Sequence, residues 1–305
     1  MKAIVVKDRG AGPAGMTLME RPEPTPAIND VIVEVHASGY VPTELEWPST
    51  WTDRAGRDRT PSTLGHELAG VVTALGYGTT GLSVGQRVFG LTDWHRDGTL
   101  AEYVAVEARN LAPLPGDVDF TVGASLPISA LTAWQGLFDH GRLQSGQRVI
   151  AHGAAGAVGA MVTQLAREAG AYVIGTGRVA DRDKAFEFGA HEFVDLDSDA
   201  LDEVDDVDLV FDVIGGDIQM RSTSLIRAGG TLVTVVGPTD ARPAGGRTID
   251  FVVESSRSQL TEIVQRIRDG RLRTNIGNVA GLADAIAALN PTGRREGKTV
   301  VSVRP

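Results

Sequence analysis

Apolar residues along this chain fall into two textures. Up to about residue 115 they come as short, valine-rich runs at 3–6, 31–35, 68–75 and 86–90, separated by glycine and proline turns. Such runs predict a β-rich first third. Between them lie a proline-rich connector at 22–26 and a polar loop at 46–62 that carries Trp47, Trp51 and several arginines. From about Asp117 the pattern changes. Residues 124–139 carry a helical period, and residue 148 opens an alternation of strands and helices. The strands are expected at 148–151, 171–176, 192–195, 207–213, 231–237 and 249–253, with helices such as 157–169 and 182–188 between them. This alternation predicts a parallel, doubly wound sheet with its ligand at the carboxyl ends of the strands. A helix at 258–269 closes the unit. The tail, a helix at 282–289 and a strand at 298–303, is too short to fold alone. The expected division is therefore a β-rich domain over 1–117, completed by 273–305, and an α/β domain over 118–272.

The junction of the first α/β strand with its helix carries the most chemistry. An apolar run at 148–151 breaks at Gly153, Ala154, Ala155, Gly156, Ala157, Val158 and Gly159, and a helix period follows at once. Small residues let the backbone approach a pyrophosphate, and the opening N–H groups of the helix face the anion. On the G-x-G-x-x-G template the triplet is Ala154, Gly156 and Gly159, with alanine in place of the first glycine.

The next strand ends at Thr176, Gly177 and Arg178, with Arg182 one helical turn beyond. NAD sites usually place a carboxylate here for the ribose hydroxyls. A guanidinium instead grips a 2′-phosphate with paired hydrogen bonds. NADPH is therefore the expected cofactor. Asp181 and Asp183 keep open the alternative that both arginines are ordinary solvated charges.

Composition narrows the function further. The 305 residues are ample for two cores, and a formal net charge of −10 argues against nucleic-acid or anionic-membrane partners. With no cysteine, disulfides, thiolate metal sites and cysteine nucleophiles are excluded. No apolar run approaches the roughly 18 residues of a membrane span, and the start reads as a strand, not a signal peptide. A soluble, cytoplasmic protein is expected.

In order along nearly the whole chain, a set of motifs resembles the medium-chain dehydrogenase/reductase superfamily, and more closely its zinc-independent quinone oxidoreductase branch. The set includes Gly65-His66-Glu67 with the strand after it, Gly85-Gln86-Arg87-Val88, Gly98-Thr99-Leu100-Ala101-Glu102-Tyr103 and Leu131-Thr132-Ala133-Trp134. It continues through the glycine turn at 153–159, Gly189-Ala190, the run at 208–216 and Gly297-Lys298-Thr299-Val300. The resemblance implies a GroES-like catalytic domain and a Rossmann cofactor domain. It also implies that Thr132 orients the nicotinamide. Ile214, Gly215, Gly237, Pro238, Phe251 and Val252, at the carboxyl ends of later strands, are expected near the nicotinamide or at a subunit contact. In this family the sixth Rossmann strand often pairs with its mate, so a homodimer through that sheet edge is expected.

Metal is the branch point. Val41 falls where the resemblance places a cysteine ligand, while His66 and Glu67 remain. One imidazole and one carboxylate do not supply the three protein ligands of a catalytic zinc. Asp93 and His95 are the further donors to weigh. No metal is expected. Without a Lewis acid, the accessible chemistry is hydride transfer to an acceptor that is already electron-poor, a quinone or an α,β-unsaturated carbonyl. Tyr40, Thr43 and His66 are the candidate substrate-pocket residues, with Trp47, Trp51 and Trp94 as stacking surfaces. Three alternatives stay open: an acyl-thioester enoyl reductase using Arg54, Arg57 and Arg59 as a basic groove, a non-catalytic NADPH-binding protein, and a zinc alcohol dehydrogenase.

Overall fold

A computed structural model describes residues 1–290, 292, 293 and 296–304. Residues 291, 294, 295 and 305 of the expected 273–305 tail lie outside them. In chain order, β1 (Lys2–Val6), β2 (Thr17–Glu20) and β3 (Asp30–Gly39) come first. Then follow α1 (Pro48–Trp51), β4 (Ser62–Thr63), β5 (Glu67–Leu75), β6 (Arg87–Leu91), β7 (Tyr103–Glu107) and β8 (Leu111–Pro113). Helices α2 (Phe120–Ser125) and α3 (Pro127–Trp134) lead to β9 (Arg148–Ala151), α4 (Ala157–Glu168), β10 (Tyr172–Gly177), α5 (Arg182–Glu187) and β11 (Glu192–Asp195). Next are β12 (Val207–Asp212), α6 (Gly216–Ser222), β13 (Ile226–Thr234) and β14 (Arg247–Asp250). The chain ends with α7 (Arg257–Arg268), β15 (Ile276–Gly281), α8 (Ala285–Leu289) and β16 (Lys298–Ser302).

Two compact units result, one of 1–127, 255–268 and 276–305, the other of 128–254 and 269–275. The sequence reading put the 257–268 helix in the α/β domain. The structure groups it with the β-rich unit, because the Arg257 guanidinium donates to the carbonyls of Ala108 and Leu111 and Arg268 pairs with Asp117. Among the described residues no helix is long and apolar enough to cross a membrane.

The first unit is the GroES-like fold. Its large sheet runs β15-β16-β3-β5-β6-β8, with β7 also on β3, beside a small sheet β2-β1-β4. The ten-residue β3 organises it, pairing along its length with β5, at its start with β7 and at its end with β16. Ile4, Val6, Tyr40, Trp51, Leu64 and Leu100 form one core with Leu282 and Val301. Val31, Val33, Val35, Leu68, Val88 and Leu111 form another.

The second unit is a Rossmann fold. Its six strands are all parallel, in the order β11-β10-β9-β12-β13-β14. The order reverses between β9 and β12, which puts the ligand-binding edge there. Beyond Arg148, strand β9 is apolar and buried, because helices cover both faces of such a sheet. Helix α4 stops where Gly170 adopts φ 84°, with Ala171 N–H bonding to Ala166 and Gly170 N–H to Arg167. Helix α5 ends the same way at Gly189, φ 104°. In both, the left-handed glycine turns the chain directly into the next strand.

Candidate functional site

The glycine turn of the Rossmann unit is built by close backbone approach. Gly153 stands at φ 63° and makes the tight turn. The tight-turn role therefore falls to Gly153, and the sequence template that set Ala154 there is corrected. Ala154 is fully buried against Ala185 and Ala190, and its amide donates to the Thr176 carbonyl at 2.9 Å. Its methyl and its amide thus serve the fold. A Cβ on Gly159 would lie 2.0 Å from the Gly153 carbonyl oxygen, so α4 can sit this close to β9 only with glycine there. Gly156 is the N-cap, and it stays partly exposed with Ala157 and Val158. The first-turn amides of a helix have no intrahelical partner, so the segment offers Ala157, Val158 and Gly159 N–H groups to an anion. Asn275 braces it from behind, donating to Ala155 O at 2.6 Å. This cradle fits the diphosphate of a nicotinamide dinucleotide.

At the exit of β10 the predicted residues divide. Gly177 is buried against Asp181, whose carboxylate accepts the Arg178 amide at 3.2 Å. The Arg178 and Arg182 side chains are exposed. Thr176 is a correction: its side chain is buried, and its hydroxyl faces His152 Nδ1 at 2.7 Å instead of the solvent edge.

Beyond the switch point, Asp212 sits fully buried at the end of β12. Its Oδ1 accepts the amides of Ile214 and Gly215, both at 2.9 Å, and its Oδ2 accepts Gln219 Nε2 and Thr234 Oγ1. This carboxylate therefore holds the turn at Gly215, φ 76°. Ile214 and Val236 are left exposed after β12 and β13, and Val252 after β14. Gly237, φ 115°, and Pro238 follow Val236 on the same side of the sheet. Strand β14 ends at Asp250, short of the expected 249–253, and the Phe251 ring tilts onto His140 at 4.5 Å. Thr132 is buried on α3 in this unit.

In the GroES-like unit, the loop after β3 and the entry to β5 are tied by one carboxylate. Glu44, fully buried, accepts the Val41 amide at 3.1 Å on Oε1 and the Gly65 amide at 2.8 Å on Oε2. Burial pushes its pKa up to about 8, against the two N–H bonds that lower it. Glu67, also buried, pairs with Lys298 of β16. Gly39 makes room for it, since a Cβ there would lie 2.5 Å from Glu67 Oε2. His66 is bonded through Nδ1 to Thr92 Oγ1 at 3.0 Å, with the Trp47 ring stacked 5.7 Å away and Trp94 edge-on at 5.0 Å. Burial, aided by the Arg59 charge, lowers its pKa to about 3, so the imidazole is neutral.

These residues do not fit a catalytic zinc. Val41 offers no lone pair, the Glu67 carboxylate is held by Lys298, and Asp93 is paired with Arg54. Among the described residues no cluster of three His, Cys, Asp or Glu side chains is arranged to hold a metal ion.

The substrate candidates also divide. Tyr40 is corrected, because it is 4% exposed inside the apolar core with Ile4, Leu64 and Leu100. Burial, with Glu44 nearby, raises its pKa. Trp51 is likewise core, its indole N–H donating to Leu45 O. Thr43 is exposed on the loop after β3. Arg54, Arg57 and Arg59 each face an aspartate, Asp93, Asp53 and Asp97 respectively. The sequence reading did not single out Glu44, His152, Asp212 or Asn275. His152 and Asp212 lie in the sequence as polar residues at the ends of apolar runs, which is their only signal.

The comparisons with known proteins bear on both units. Residues 27–116 match the alcohol dehydrogenase GroES-like domain and residues 188–301 the zinc-binding dehydrogenase model. The chain is 34% identical over 264 residues to the spectinabilin polyketide synthase protein NorB of Streptomyces orinoci, covering 79% of this chain but only 12% of that protein's length. It is 31% identical to the quinone oxidoreductase of Rattus norvegicus, covering 77% of this chain and 73% of the relative. The quinone oxidoreductase structure from Coxiella burnetii superposes with a TM-score of 0.91 at 27% identity, covering 100% of this chain and 99% of that one. Members of this family bind a nicotinamide cofactor and act on small molecules. The chain belongs to the medium-chain dehydrogenase/reductase superfamily of oxidoreductases, in its quinone oxidoreductase-like branch.

Proposed function

We propose that this protein is an NADPH-dependent reductase of quinones and α,β-unsaturated carbonyls that works without zinc. The observation that carries the reading is the fate of the metal position: Val41 stands in place of a ligand, and His66 is enclosed by Trp47 and Trp94. The same chain keeps a complete diphosphate cradle. Bound nicotinamide supplies the hydride. The amides of Ala157, Val158 and Gly159 would hold the diphosphate, and Arg178 and Arg182 would hold the 2′-phosphate. Ile214 and Val236 give an apolar shelf at the carboxyl edge of the sheet. Trp47 and Trp94, edge to face at 5.3 Å, offer π surface to a planar, electron-poor acceptor. The Thr43 hydroxyl is the available donor to the acceptor's developing oxyanion, and water completes the proton transfer. With no metal to polarise it, an unactivated alcohol is not a substrate.

The match to a segment of a polyketide synthase supports a second reading, an acyl-thioester enoyl reductase. Against it, the loop arginines that would grip a phosphate-bearing handle are already neutralised by Asp53, Asp93 and Asp97. One acceptor panel separates the two readings. With NADPH held constant, 9,10-phenanthrenequinone and a small enone are expected to turn over with higher kcat/KM than a crotonyl thioester, and ethanol with NADP+ not at all. A thioester preference reverses the assignment. Solution scattering is expected to give a homodimer joined through the β14 edge, an open edge of the Rossmann sheet.

A further inference from the structure

At the exit of β9, just before the turning glycine, stands a histidine that reaches no solvent. His152 is fully buried, with two hydrogen bonds on its ring and one on its backbone. The Ser222 hydroxyl on α6 donates to Ile218 O at 2.7 Å, so at 2.8 Å from His152 Nε2 it can only accept. That assigns the proton to Nε2. Nδ1 then accepts from the Thr176 hydroxyl at 2.7 Å. The backbone N–H of His152 donates to Phe211 O of β12 at 3.0 Å. One residue, directly before Gly153, thus links the exits of β9, β10 and β12 with the helix α6. Burial lowers its pKa to about 4, so the ring keeps this neutral pattern at ordinary pH.

We propose that His152 is a positioning residue of the dinucleotide site, setting the diphosphate turn against the adenosine-side loop that carries Arg178. An apolar residue would fill this place at less desolvation cost, but would remove the side-chain tie to the Thr176 and Ser222 hydroxyls and leave only the Ala154–Thr176 backbone bond between the two loops. Thr176, held by the ring, lies two residues before Arg178, and Ala154 after the turn is bonded to the Thr176 carbonyl. A change at His152 therefore moves both the diphosphate amides and the guanidinium that reads the 2′-phosphate. The proposal rests on the NADPH reading given above.

The test measures the binding of NADPH and NADH separately, by calorimetry, to the wild type and to His152→Leu, His152→Gln and Thr176→Val. Loss of the ring's polar tie in His152→Leu is expected to raise the Kd for NADPH about tenfold or more. It should also shrink the ratio of NADH to NADPH Kd, with the KM of the quinone unchanged. His152→Gln, which keeps a donor for Ser222, is expected to fall between. Thr176→Val, a near-isosteric change, is expected to weaken NADPH by about 2- to 10-fold and serves if His152→Leu does not fold. A lowered Tm with both Kd values and their ratio unchanged overturns the proposal and leaves His152 a residue of the fold alone. If the wild type prefers NADH, the NADPH reading fails, while the variant-to-wild-type ratio for NADH still decides the role of His152. A wild type that binds neither dinucleotide overturns both.

Discussion

Arg178 and Arg182 stand exposed beyond β10, next to a glycine that brings no carboxylate of its own. Each guanidinium can give a phosphate monoester paired, charge-assisted hydrogen bonds, worth roughly 1.5–3 kcal/mol together. Arg178→Ala is therefore expected to raise the KM for NADPH by about 10- to 150-fold and to leave that for NADH within about twofold, read from initial rates. Equal loss for both cofactors would mean that Arg178 supports the loop and does not read the phosphate. Glu44 gives a second residue-scale test. Its folded pKa of about 8 lies above the 4.5 of an exposed glutamate. The stability this shift contributes is complete below pH 4.5 and is lost progressively as pH rises toward 8. The Tm advantage of wild type over Glu44→Gln is thus expected to shrink between pH 5 and pH 8.5, by calorimetric scans at fixed salt. A constant difference would show that Glu44 does not titrate in this range. The sequence named residue types at these places well and orientations poorly. Tyr40 and Thr176 both stand at strand ends beside a functional loop, and both turn inward, Tyr40 into the apolar core and Thr176 onto His152. Glu44 gave no periodic signal, because its role is to hold the Val41 amide beside it and the Gly65 amide twenty-one residues further on.

At the scale of elements, legibility followed burial. β9, β10 and β12 lie in the middle of the sheet, and their short apolar stretches, 149–151, 172–174 and 209–211, mark them near their observed bounds. β13 begins at Ile226, five residues earlier than expected, because Ile226 already pairs with Val207, while the polar, glycine-rich Arg227 to Gly230 that follows interrupts the register and carries no apolar signature. The helical run at 124–139 is divided, with α2 ending at Ser125 and α3 beginning at Pro127, a residue that fits the first turn of a helix and not its interior. Gly159 is the position where an element and the site depend on one atom. Gly159→Ala would press a methyl against the Gly153 carbonyl oxygen at 2.0 Å. It is expected to destabilise the Rossmann unit by about 1–3 kcal/mol and to abolish dinucleotide binding, measured by thermal shift with and without NADPH. Retained NADPH stabilisation in this variant would show that α4 can shift without loss of the cradle.

At the scale of the whole molecule, one chain forms two compact units. In the proposed function the GroES-like unit would supply the acceptor site and the Rossmann unit the cofactor site. Assembly is expected to be dimeric, with a mass twice 32.2 kDa by light scattering at micromolar concentration. A proline at Thr248, in the edge strand, is expected to shift that mass toward the monomer. A stable monomer in the wild type would remove the proposed role of the β14 edge. The overall division was legible because the change from valine-rich runs to strand–helix alternation is abrupt. The 257–268 helix was not, because its allegiance rests on Arg257 and Arg268 reaching Leu111 and Asp117, contacts about 150 residues apart in sequence. The measurement that bears most directly on the central claim is initial-rate oxidation of NADPH and NADH with 9,10-phenanthrenequinone by protein dialysed against a strong chelator. Turnover that prefers NADPH and is the same before chelation, after it and after zinc is restored is the expected result. Activity that vanishes on chelation and returns with zinc would contradict it.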